Sequence, residues 1–86
     1  MLDCIGAETD RQDARLNENY KRLMSKVSDD RKKQLLEAQR AWIRFRDANC
    51  SFYAEGGSIA QVAVNDCILV TTVDRANELK RLTADQ

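Results

Sequence analysis

Histidine is absent from this 86-residue chain, and so is proline. The first absence removes the commonest general base, the Ser-His and Cys-His nucleophile pairs, and most zinc sites. The second, together with only three glycines, leaves few places where the backbone must break, which favours a small number of long helices. Net charge is lacking too. Fourteen acidic residues balance fourteen basic ones, so no global field draws the protein to nucleic acid or to an anionic membrane. No run approaches the ~20 apolar residues that a membrane span needs. The cysteines at 4, 50 and 67 have no CxxC spacing, so neither a redox dithiol nor a metal or cofactor site is expected. No export signal is visible, because Met1 is followed almost at once by acidic and polar residues. The chain is therefore expected to be cytoplasmic, or a form whose export signal has been removed.

The composition is otherwise 43% hydrophobic and 33% charged, inside the globular range. A single domain spanning 1–86 is expected, burying roughly 60–65% of its unfolded surface. Two breaks stand out: Val27-Ser28-Asp29-Asp30 and Glu55-Gly56-Gly57-Ser58. Ser28 suits an N-cap, with Asp29 and Asp30 at the positive end of the helix dipole. Gly56 and Gly57 suit a helix stop, and Ser58 a cap for the third helix. The breaks predict helices over about 2–27, 29–54 and 58–83. Leu16, Tyr20, Leu23 and Val27 form one stripe, and Leu35, Ala38, Trp42, Phe45 and Asn49 a second. The third is Val62, Leu69, Val73, Ala76 and Leu79. The β-branched run 67–73 reads as a strand in isolation but has no partner strand, so helix is preferred. Long amphipathic helices with short loops predict an all-α, antiparallel, up-down-up three-helix bundle.

Counting outward from the first turn places Asn17 level with Gln39, and Asp13 level with Ile43, one turn from Arg46. Across the second turn, Cys50 and Cys67 come level, and Trp42 falls near Arg75. Asp13, Asn17, Gln39, Trp42, Arg46, Thr72 and Arg75 are thus read as a partly buried structural network. Asp13 is expected to pair with Arg46 or Arg75, Asn17 with Gln39, and Arg75 to lie over Trp42. The sharper alternative makes Tyr20, Trp42 and the arginines a recognition surface. A catalytic carboxylate is disfavoured, since an acid beside two arginines is held ionised. Arg31, Lys32, Lys33, Arg44, Lys80 and Arg81 are read as solvated. Phe52 and Tyr53, beside the glycine turn, are end-of-bundle packing or the place where a partner docks, with Glu55 and Asp66 at hand. Composition leaves two states open for the cysteines. One is a Cys50–Cys67 disulfide clamping the second helix to the third, and the other is three reduced thiols.

The order of residues resembles the LprI-like domain family, named for a bacterial lysozyme inhibitor and formerly a domain of unknown function. The matching elements are Met1-x-x-Cys4, Asp13-x-x-Leu16-Asn17-x-x-Tyr20-x-x-Leu23, and Leu35-x-x-Ala38-Gln39-Arg40-Ala41-Trp42-Ile43-x-Phe45-Arg46-Asp47-Ala48-x-Cys50. Gly56-Gly57-Ser58 and Cys67-x-x-x-x-Thr72-x-x-Arg75-x-x-x-Leu79 complete the pattern. The lack of histidine and of a plausible carboxylate pair leads to the expectation of a non-enzyme, and the resemblance implies a small helical domain exported to the bacterial periplasm or cell surface. That compartment is oxidising and favours the Cys50–Cys67 disulfide. Family members usually carry a further cysteine about a dozen residues before the one matching Cys4. Cys4 is accordingly expected to be a free thiol, or one whose partner lies outside this chain. The resemblance further implies a protein partner, with lysozyme the specific expectation, and a monomer or weak homo-oligomer. A non-inhibitory structural or assembly module of the envelope is the alternative. An inhibitor of basic lysozyme is expected to show an acidic face, for which Asp3, Glu8, Asp10, Asp29, Asp30, Glu55 and Asp66 are candidates.

Overall fold

The computed structural model describes residues 2–86, and the side chains of all of these except Leu2, Asp3 and Ser58. Three α-helices make up the fold: α1 (Leu2–Met24), α2 (Asp29–Ser51) and α3 (Ser58–Ala84). A single 3-10 turn, Phe52–Ala54, continues α2. No strand occurs among the described residues, and the β-branched run 67–73 is helical.

The breaks act as their chemistry requires. At the first, the Ser25 hydroxyl donates to the Arg22 carbonyl at 2.7 Å, and the Lys26 amide to that of Leu23 at 3.0 Å. These contacts wind α1 down at Met24, three residues short of the expected end. Ser28 then caps α2, its hydroxyl accepting from the Arg31 amide at 3.4 Å, while Asp29 and Asp30 occupy the first turn. At the second break the final turn of the expected helix tightens to 3-10 geometry, common at helix ends. Gly57, not Ser58, holds the cap position of α3; the Ser58 side chain, expected to cap, lies outside the described residues. Gly57 has φ 84° and ψ −149°, a region open essentially to glycine alone. An added Cβ there would meet nothing within 4 Å, so a substitution is charged only with backbone strain. Gly57→Ala is expected to cost about 1–3 kcal/mol, read as a lowered urea midpoint at unchanged m.

The core lies between α1 and α3. Leu16, Leu23, Ala76 and Leu79 are its buried members, and Tyr20, Val27, Leu35 and Trp42 pack against it half-buried. α1 and α3 pack extensively, whereas α2 touches α3 at fewer places and α1 hardly at all. These contacts are consistent with an up-down-up course. The α2 stripe turned to its neighbours is Leu35, Gln39, Trp42, Arg46 and Cys50, at spacings of four and three. Ala38, Phe45 and Asn49, expected on that face, are exposed, with Phe45 at 59%. Each lies to one side of the stripe, and α1 does not close over that side.

Candidate functional site

The polar stripe of α2 meets α3 directly. Arg75 Nε donates to Gln39 Oε1 at 3.0 Å and its Nη1 to Glu78 Oε1 at 2.6 Å. Gln39 is buried and the Arg75 side chain is only 10% exposed. Burial of both partners makes the bond matter, because losing either leaves a desolvated polar group. The Arg46 guanidinium lies 5.2 Å from the Trp42 ring centroid. Its Nε also donates to Asp47 at 3.0 Å. The cation over Trp42 is thus Arg46, one turn on along the same helix, rather than Arg75, which is occupied with Gln39 and Glu78.

Asp13 and Asn17 stand apart from this network. Both are exposed, and neither has a side-chain hydrogen bond among the described residues. The two arginines expected for Asp13 use the nearer acids Asp47 and Glu78 instead. For Asn17 the fault lies in phase. Being level along the bundle is not the same as facing, and α1 turns its Leu16, Asn19, Tyr20, Leu23 stripe inward. Asn19 is the buried asparagine, donating from Nδ2 to the Ala76 carbonyl at 2.9 Å. Arg15 reaches Asn77 Oδ1 at 2.6 and 3.1 Å. The signal for Asn19 was in its spacing, three residues after Leu16 and four before Leu23.

Thr72 is fully buried, and its hydroxyl has no hydrogen-bond partner among the described residues. An unpaired buried hydroxyl is a cost that an apolar side chain of the same shape avoids. Thr72→Val should therefore stabilise the protein by about 1 kcal/mol, raising Tm by about 4–8 °C in calorimetry.

At the second turn Cys50 and Cys67 form a disulfide, with Cα atoms 5.5 Å apart and a separation of 17 in sequence. Cys50 is buried, and the Thr71 hydroxyl lies 4.0 Å from both sulfurs. Cys4 is a free, exposed thiol. Beside the disulfide an open depression of about 380 Å³ is lined by Asn49, Tyr53, Asp66, Val70 and Cys67 of the bridge. The rings of Phe52 and Tyr53 meet edge to face at 5.6 Å, and Glu55 and Asp66 are exposed. No group of three or more Cys, Asp and Glu side chains suited to a metal ion occurs among the described residues. On α1, the Glu8 carboxyl is held below its ordinary range by hydrogen bonds from Gln12 and then Arg11. It is half-exposed, and its partners Gln12 and Arg11 lie on the next turn of the same helix, so this contact is a local surface feature.

The helices, the clamp and the Gln39–Trp42–Arg46 stripe thus stand in one frame, and residues 1–79 match the family of lysozyme inhibitor LprI. The chain belongs to the LprI family. The match takes in the free thiol, both turns, the disulfide and the Gln39–Arg75 contact. A relative, an uncharacterized protein of Rhizobium meliloti (strain 1021), is 45% identical over 51 residues. That alignment covers 56% of this chain and 37% of the relative, so the chain spans well under two thirds of that protein's length. No solved structure matches. No helix among the described residues is long and apolar enough to cross a membrane.

Proposed function

We propose that this LprI-family chain is an exported, non-enzymatic, up-down-up three-helix domain that binds protein in the bacterial envelope, with lysozyme as its partner. The observation that carries the reading is the family match over residues 1–79. The disulfide supports the location, because such bonds persist in oxidising compartments and are rare in the cytosol. The Gln39–Arg75 contact and the Arg46–Trp42 pair are given a structural role. The first joins α2 to α3, and a satisfied polar bond of that kind selects which helix faces which; the second braces successive turns of α2.

Titrating the protein into a lysozyme turnover assay tests the partner. Loss of turnover that saturates with added protein is expected. Full turnover at micromolar excess would drop the inhibitor reading and favour the assembly-module one. Thiol counting on unfolded, unreduced protein recovered from its native host tests the compartment. One reactive thiol, that of Cys4, is expected; three would contradict export.

A further inference from the structure

Neutral overall charge conceals a segregation along the chain. Residues 47–74 contain four acids and no lysine or arginine, whereas residues 14–46 carry ten cations against four acids. The cation-free stretch brackets the second turn, and four of its large apolar side chains are left uncovered. Phe52 and Ile59 are each 82% exposed, Val70 51% and Tyr53 46%. They are contiguous. Phe52 stacks edge-on against Tyr53, Tyr53 shares the depression with Val70, and Ile59, Ala63, Asp66 and Val70 recur on one face of α3. Glu55 and Asp66 rim the patch, and neither has an ion-pair partner among the described residues.

We propose that this end of the bundle, with Phe52, Tyr53, Ile59 and Val70 as anchors and Glu55 and Asp66 as rim, docks a cationic protein surface. The proposal rests on the protein-binding reading and gives that reading its surface. Exposed aromatic and aliphatic groups are costly to leave in water and are typical interface anchors. Acids free of local cations supply a field that steers a basic partner and rejects an acidic one. Rigid backing is present, since the disulfide ties the two helices that carry the patch. A second copy of the chain is a poorer occupant for this face, because the same acids would meet across a two-fold axis.

The test maps amide shifts of the intact, oxidised protein titrated with two basic proteins, lysozyme and cytochrome c. Shifts confined to residues 47–70, fading as salt rises from about 20 to 300 mM, are expected. Phe52→Ala with Ile59→Ala should weaken binding about tenfold or more, as should Glu55→Lys with Asp66→Lys. Lys33→Glu, about 28 Å away along α2, should not weaken it. Shifts centred elsewhere, or none with either protein, would overturn the proposal. So would an apolar double variant that binds as well as the parent, which would mark mere charge attraction. Dimerisation lost in that variant, seen by sedimentation equilibrium, would hand the face to a second copy and overturn it too. Binding here without loss of lysozyme turnover sinks the inhibitor reading alone. Inhibition untouched by both double variants sinks this surface alone.

Discussion

Replacing Cys50 and Cys67 together with alanine should lower stability by about 3 kcal/mol, the chain-entropy value for a loop of this length. For a domain of this size that is a fall in Tm of about 12–24 °C. Chain entropy is one part of the account, and the packing of α2 is the other. α2 contacts α3 sparingly and α1 hardly at all, and Ile43, Phe45 and Phe52 leave much of their surface in water. Its second half is therefore held mainly by the sulfur bridge, by the Gln39–Arg75 bond and by Trp42 packed against the core. Hydrogen exchange in the double variant should accelerate first at residues 47–54, while Leu16–Leu23 and Ala76–Leu79 stay protected. Reduction of the parent protein with dithiothreitol should reproduce the pattern. An unchanged melting temperature, or uniform acceleration along all three helices, would contradict this division of labour.

Leu79→Ala should cost about 2–5 kcal/mol, the range for truncating a fully enclosed leucine. Leu79 has no exposed surface and sits with Leu16, Leu23 and Ala76 where α1 and α3 meet. The neighbours are long helices whose backbones cannot collapse far into the space, which favours the upper part of the range. Denaturant unfolding should show a lowered midpoint at nearly constant slope. Phe52→Ala is the informative control. At 82% exposure it should change stability by no more than about 0.5 kcal/mol, as surface substitutions do. A large loss at Phe52 would mean that the aromatic pair holds the turn together, and would leave less of it free to meet a partner.

Local chemistry was legible wherever a residue's role depends on its own neighbours in sequence. Ser28 followed by two aspartates marks a helix start from capping and dipole alone, and the structure uses it so. Gly56 and Gly57 mark the second reversal because only glycine accepts the positive φ found there. The inward stripe of α1 was visible in the spacing of Leu16, Tyr20, Leu23 and Val27. Trp42 and Arg46, four apart on α2, meet for the same local reason. The pairing of Cys50 with Cys67 was favoured by family resemblance, and the bridge stands where the second turn brings the two helices together.

Cross-helix pairing was legible only in part. Gln39 and Arg75 both belong to the expected network, yet their bond to each other replaces the expected match of Gln39 with Asn17. The register counted across the second turn agrees with the disulfide and the Gln39–Arg75 bond, but it carried no information on how far each helix is rotated about its own axis. Asn19 rather than Asn17 faces α3 because two residues on a helix differ by about 200° of rotation. The apolar character of Phe45 and Ala38 suggests a buried stripe, and rotation leaves them in solvent. Asp13 lacks its expected arginines because closer acids on the same helices already hold them.

The amino-acid order by itself determined three helices, the places where they stop, and the thiols available for a clamp. Capping, glycine stereochemistry and apolar periodicity act over a few residues and need no knowledge of the rest of the chain. Only the tertiary structure decided which side of each helix turns inward, and with it which polar groups pair and which apolar ones stay in water. Rotation about a helix axis is set by the packing of all the neighbours at once. No single stretch of the chain contains that information.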